Sequence, residues 1–305
     1  MYNKIKQILK FITERQFRFS ILSKYGFLNN WSDEKYLKYK FKLVFGKELN
    51  LKNPQTFSEK LQWLKIYDRK PIYTTMVDKY EAKKYVADII GKEYIIPTLG
   101  VWNKFEDIDF DKLPSQFVLK CTHDSGGLVI CRDKSKFDYK FAKKKINKSL
   151  KRNYFWQGRE WPYKNVKPRI IAEKYMIDNK TQELRDYKFF CFNGEPKMLF
   201  IASDRQNPKE ETKFDFYDID FNHLPFINGH PNSNKHIDKP ETFDEMVRLA
   251  AILSKDIPHV RVDFYEIAGK LYFGELTFSH WSGFMPFQPP EWDKIIGDWL
   301  ILPSE

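Results

Sequence analysis

RVDFYEIAGKLYFGELTFSHWSG, residues 261–283, carries two runs of alternating apolar and polar residues on either side of Ala268-Gly269. Period-two alternation predicts two strands, Val260–Ile267 and Leu271–Thr277, paired as a hairpin. Arg261, Asp263 and Tyr265 share one side of the first strand, and Glu275 and Thr277 share one side of the second. Pairing about the turn brings Asp263 towards Glu275 between apolar neighbours. Two carboxylates so placed repel unless a cation lies between them. Oxygen-only ligation suits Mg²⁺, which also holds phosphate oxygens, so Asp263, Glu275 and Thr277 are candidate metal ligands. The alternative is a surface hairpin with solvated charges, and the rest of the chain decides between the two.

Three earlier stretches bear on that choice. In FVLKCTHDSGGLVI, residues 117–130, a strand delivers Lys120, a turn follows at Ser125-Gly126-Gly127, and a second strand leaves. Glycines let backbone N–H groups approach an anion, and a lysine adds a mobile charge, as nucleotide phosphates require. The pattern is neither a Walker A loop nor a dinucleotide fingerprint, and a plain hairpin turn is its structural alternative. In PRIIAEKYM, residues 168–176, an apolar strand ends in Glu173, Lys174, Tyr175 and Met176. Such an end can form an adenine slot with a carboxylate for the ribose, or simply a buried strand with a solvated end. In LRDYKFFCFNGEPKMLF, residues 184–200, a hairpin turns at Asn193-Gly194 and places Asp186 and Lys188 on one side. Lys188 is a further phosphate-binding candidate.

Lysine before a glycine loop, an E-K-aromatic-apolar strand end, a hairpin, then R-x-D-F and E-x-T-x₅-G resemble, in that order, the ATP-grasp superfamily. Arg261-Val262-Asp263, Glu275-Leu276-Thr277 and Trp281-Ser282-Gly283 resemble the metal-binding end of D-alanine–D-alanine ligases, except that Thr277 stands where those ligases usually carry asparagine. VDKYEAKKYV resembles their DK-led helix and nominates Lys79. The series KLQWLKIYDRKP, DKYEAKKYV, VLKCTHDSGG and ELTFSHWSG is similar to TupA-like ATP-grasp proteins, over about residues 50–300. The resemblance implies an α+β ATP-grasp fold, two subdomains clasping ATP, with an N-terminal helical region over residues 1–70. The catalytic region would be 71–305, with a lid subdomain over about 115–175.

By resemblance, Lys79, Lys120 and Lys188 bind phosphates, Ser125, Gly126 and Gly127 close over them, and Glu173 to Met176 hold adenosine. Asp263, Glu275 and Thr277 hold Mg²⁺, while Arg261 and Lys120 stabilise charge on the transferred phosphoryl group. An insertion-like IDNKTQE between Glu173 and Lys188 leaves the role of Asp186 as ribose carboxylate open. His123, Arg205 and His280 are nominated on the substrate side. The implied activity is ATP-dependent joining of an amino acid or peptide to an acidic saccharide or its precursor. A glycosyl- or phosphoryl-transferase on the same nucleotide fold is the alternative enzyme.

Composition agrees with a globular enzyme. Of 305 residues, 42% are hydrophobic, and no run approaches the roughly 18 apolar residues of a membrane span. The N-terminus is broken by Lys4, Lys6 and Lys10, unlike a signal peptide, and three cysteines without a CxxC pair suit a reducing compartment. A cytoplasmic setting is expected. The net charge of +11 suits an anionic partner, but its spread along the chain carries no nucleic-acid motif. A non-enzymatic polyanion- or membrane-binding protein would leave the Lys120, Asp263 and Glu275 conjunction without purpose. The stripe Ile5, Ile8, Leu9 and Ile12 predicts an amphipathic first helix, either packed on the body of the protein or lying at the inner membrane face. Further helices are predicted at Asp33–Phe45, Thr56–Tyr67 and Asp78–Ile90. Tyr154, Trp156, Trp161 and Tyr163 form an aromatic cluster suited to sugar stacking or to a small satellite core.

Overall fold

A computed structural model of the chain describes residues 2–178, 184–204 and 210–304. Arg205 and most of the IDNKTQE segment lie outside the described residues. Four helices open the chain: α1 (Tyr2–Thr13), α2 (Arg15–Lys24), α3 (Asp33–Phe45) and α4 (Phe57–Tyr67). Thr56 caps α4 in a reciprocal capping box with Glu59, which satisfies otherwise orphaned backbone donors. Phe19, Leu37, Phe41, Phe57 and Leu61 turn inward. Ile8, Leu9 and Ile12 of α1 remain exposed, so this stripe does not pack on the body of the protein.

The helix predicted from Asp78 to Ile90 starts later, as α6 (Glu81–Ile90), and a separate short helix, α5 (Ile72–Val77), precedes it. Asp78 is extended, and its carboxylate accepts the backbone N–H groups of Tyr80 and Glu81 at 2.8 and 3.3 Å. A short side chain that bonds its own downstream backbone competes with helix. Lys79 is thereby left in the turn, its backbone N–H donating to the Thr122 carbonyl at 3.1 Å.

The smaller sheet holds β1 (Thr98–Trp102), β2 (Phe117–Cys121), β3 (Leu128–Cys131) and β4 (Ile170–Lys174), with α7 (Tyr139–Leu150) and α8 (Phe155–Gly158) between the last two. Its order is β1-β4-β2-β3, antiparallel throughout. Phe117, Leu119 and Cys121 pack with Ala142 and Ile146 of α7, which leaves Val118 and Lys120 on the opposite face. Gly127 is demanded by packing, because a Cβ there would stand 2.5 Å from Cys121 Sγ.

The larger sheet contains β5 (Asp186–Phe192), β6 (Glu195–Ser203) and β7 (Lys213–Asp218). After β8 (Ile227–Asn228) and α9 (Phe243–Ser254) it is completed by β9 (His259–Ile267) and β10 (Lys270–Thr277), in the antiparallel order β10-β9-β5-β6-β7. Then β11 (Phe287–Gln288) pairs with β8, and α10 (Glu291–Trp299) follows. Phe189, Leu199, Val262 and Phe264 face α9. Phe190, Phe192, Met198 and Phe200 share a core with residues of the opening helices and α10. Along that second face the strands turn from apolar to charged, at Lys188 and Asp186 in β5 and at Arg261 and Asp263 in β9. Among the described residues no helix is long and apolar enough to cross a membrane.

Candidate active site

The predicted hairpin is present, but with an irregular register. Lys270 to Phe273 pair with Ile267 to Phe264; then Glu275 pairs with Asp263 and Thr277 with Arg261. Gly274 is the extra residue of a bulge. Before it Leu271 and Phe273 enter the core; beyond it Leu276 and Phe278 do, which turns Glu275 and Thr277 to the face of Asp263. Simple pairing about the turn would set Gly274 against Asp263 instead. The signal was a glycine inside a strand together with buried positions shifting from odd to even numbers.

The cation required between the carboxylates is the Arg261 guanidinium. Its Nε and Nη2 donate to the two oxygens of Asp263 at 2.7 and 2.8 Å. The same Nη2 reaches Glu275 Oε1 and Thr277 Oγ1, each at 3.1 Å. Lys188 pairs with Asp263 and stands 3.4 Å from Asp186. Asp263, predicted as a metal ligand, is fully buried, and its two oxygens are engaged by Arg261 and Lys188. Glu275 and Thr277 line the larger cavity of the site and fit a hard cation, with Asp263 as charge beneath them. Burial alone would raise the Glu275 pKa, but Lys79, Lys188, Arg261 and Lys120 outweigh it and hold the carboxyl at about 2.

His280 lies elsewhere than predicted. Its buried Nδ1 accepts from Arg261 Nη1 at 3.0 Å, so its Nε2–H donates to Asn228 Oδ1 at 3.1 Å. Asn228 is fixed in turn by its amide, which donates to the Met285 carbonyl at 3.0 Å. The histidine therefore orients Arg261 and lines no cavity of the site. Beyond it, Trp281, Ser282 and Gly283 take three consecutive positive φ values of 47°, 56° and 64°, which turn the chain sharply.

Two buried histidines make the fold acid-sensitive. Burial pushes His259 down to about 3 and, together with Arg261, pushes His280 well below its ordinary value. The unfolded chain takes up these protons near pH 6.5 and the folded chain refuses them, so their contribution is complete above pH 6.5 and lost as pH falls. The urea midpoint should fall between pH 6.5 and about 4.5, before most carboxylates titrate. A His259→Gln variant should show a shallower fall over that window.

On the smaller sheet, Glu173 is clasped by Lys120 and by Lys83 of α6, each at 2.5 Å. Burial would raise its pKa, but the two ammoniums hold it at about 2. Lys83 was missed in the sequence, although it stands four residues after Lys79. A cavity of about 240 Å³ opens here, walled by Val118, Leu128 and Ile130 and by Glu173 to Met176. It has the mixed apolar and polar walls expected of the predicted adenine slot. Asp186 and Lys188 line neither this cavity nor the larger one.

Lys79 donates through Nζ to the Asp124 carbonyl at 2.7 Å, beside Ser125. His123, nominated for substrate, is buried; its Nε2 sits 3.1 and 3.0 Å from the carbonyls of Ser149 and Arg152. Those carbonyls lie at the end of α7, where acceptors lack helical donors, so the ring is a structural cap.

The larger cavity, about 590 Å³, runs from Lys79, Ser125, Glu275 and Thr277 to Phe19 of α2 and Lys40 of α3. Tyr154 and Tyr163 line it with rings 4.9 Å apart, whereas Trp161 packs against the core. Glu160, also in its wall, carried no signal in the sequence.

Comparison with known proteins adds the family. A D-alanine–D-alanine ligase from Helicobacter pylori is 14% identical with a TM-score of 0.39, over 75% of this chain and 64% of the ligase. An L-amino acid ligase from Bacillus licheniformis is 13% identical with a TM-score of 0.45, over 82% of this chain and 55% of the ligase. A D-alanine–D-alanine ligase from Bacillus anthracis complexed with ATP is 15% identical with a TM-score of 0.41, over 87% and 82%. The chain thus spans less than two thirds of the length of the first two ligases. No curated protein matches its sequence. The TupA-like ATP-grasp pattern, however, matches residues 59–301, most of the chain and every site element from Lys79 to Gly283, and the chain belongs to the TupA-like ATP-grasp family.

Proposed function

We propose that the protein is an ATP- and Mg²⁺-dependent carboxylate–amine ligase. One observation carries this reading: Lys79, Arg261 and Glu275 line the larger cavity and Lys120 the smaller, and these cations, with Lys188 from a fourth segment, hold the Glu275 carboxyl low. Such a convergence of positive charge suits a polyphosphate and its metal. The smaller cavity would take adenosine, leaving the triphosphate among these cations. Mg²⁺, held by Glu275 and Thr277, would neutralise phosphate charge. Lys120 and Lys79 would bind phosphate oxygens, and Arg261 would keep the carboxylates in place while adding its own field. A substrate carboxylate attacks the γ-phosphorus and releases ADP, and an amine then displaces phosphate from the acyl phosphate. No covalent protein nucleophile is required.

An acidic saccharide or its precursor, joined to an amino acid or peptide, is the substrate pair that suits the +11 charge. The exposed stripe of α1 suits attachment near a lipid-linked acceptor at the inner membrane face. A glycosyl- or phosphoryl-transferase would use the same nucleotide slot with different products. The test is ADP release with Mg²⁺-ATP across a matrix of amino acids and uronic acids, followed by mass spectrometry. ADP formed only with a matched pair, plus an adduct lighter than their sum by one water, is expected. A phosphorylated or glycosylated product would overturn the ligase reading.

A further inference from the structure

We propose that the larger cavity binds the amine co-substrate and that Glu160 in its wall receives the ammonium and takes its proton; this rests on the ligase reading above. Glu160 is 4% exposed and lines the cavity, yet it forms no ion pair with a lysine or arginine among the described residues. Two other buried carboxylates of the site are paired with cations: Asp263 with Arg261 and Lys188, and Glu173 with Lys83 and Lys120. An acid buried without a contacting cation is costly, and a bound cation relieves that cost.

The nearest lysines are committed elsewhere. Lys65 Nζ donates to the carbonyls of Gly158 and Ser282 at 2.8 and 2.6 Å and to Gln62 Oε1 at 3.0 Å. Lys40 Nζ donates to the Gln157 carbonyl at 3.0 Å. They supply a field that keeps the acid usable without closing its oxygens. Burial raises the Glu160 pKa against the pull of Lys65, a hydrogen bond from Ser282 and the charge of Lys40, which makes it a stronger base than an exposed carboxylate. Glu275 and Thr277, where the acyl phosphate would form, line the same cavity.

The chemistry requires such a group. An amine is an ammonium at neutral pH and has no lone pair for attack. Transfer of one proton to the Glu160 carboxylate frees the nitrogen, which forms the bond to the acyl carbon. The carbon–oxygen bond to phosphate then breaks with its electron pair, and the second nitrogen proton leaves on inorganic phosphate.

Hydroxylamine separates the two halves of this reaction, because it is uncharged at neutral pH and traps acyl phosphates without a base. Wild type and Glu160→Gln would be given Mg²⁺-ATP with glucuronate, galacturonate or each amino acid as the carboxylate. Hydroxamate is then measured with hydroxylamine, and amide with an amino acid or amino sugar. We expect Glu160→Gln to keep nucleotide affinity and hydroxamate formation within about twofold of wild type while amide formation falls about 10²-fold or more. Glu160→Asp, which keeps the carboxylate, should fall between the two. Equal losses of hydroxamate and amide in both variants, or undiminished amide formation in Glu160→Gln, would overturn the assignment while leaving the ligase reading standing. No hydroxamate from the wild type with any carboxylate would remove the ligase reading itself, and the inference with it.

Discussion

Replacing Glu275 by alanine is expected to lower ADP formation about 10³-fold, the scale on which one electrostatic partner of a transition state acts. The melting temperature should move little. Glu275 is only half-buried, and its one ion pair is a shared contact with an Arg261 Nη2 that also serves Asp263 and Thr277. Its removal strands no buried carboxylate and leaves Arg261 on Asp263, but it takes away the carboxylate on which four cations act and the donor best placed for Mg²⁺. The assay is steady-state ADP release beside a thermal melt. Activity within tenfold of wild type would contradict this placement of the metal and phosphates.

Arg261→Met should do the opposite kind of damage, destabilising the protein by about 3–5 kcal/mol as well as silencing it. Asp263 is fully buried, and the guanidinium supplies two of its hydrogen bonds. Methionine fills the space but strands the carboxylate with Lys188, and it also frees His280 Nδ1 from its donor. Urea unfolding of the two proteins checks the figure. A stability within about 1 kcal/mol of wild type would show that Asp263 does not depend on Arg261. The contrast between the two neighbours follows from burial: one acid faces the cavity, and the other pair forms its floor.

The strands and hairpins were legible because their signals are local. Alternation along 261–277 and the Asn193-Gly194 turn each act within a few residues. Lys120, Ser125 and Glu275 were nominated because the order of motifs resembles a family, and they line the two cavities. What depends on distant partners was hidden. His280 could not be known as the support of Arg261 without Asn228, 52 residues earlier, and His123 could not be known as a cap without the end of α7. Nothing local says that Lys188 crosses to Asp263 from β5. Glu160 carries no motif, and its burial in a cavity wall exists only once distant segments close around it.

The bulge at Gly274 also bears on how relatives are to be compared. Beyond it, β10 is written in the other phase, so that a missing residue is a different kind of error from a changed one. Deleting position 274 would leave every downstream letter intact yet exchange inside for outside, turning Glu275 and Thr277 to the core and Leu276 to the cavity. An alignment that lets a gap drift across this glycine matches cavity-facing positions to packing positions. Insertions and deletions here are therefore frameshifts in space, and the glycine is the punctuation that keeps the message in register.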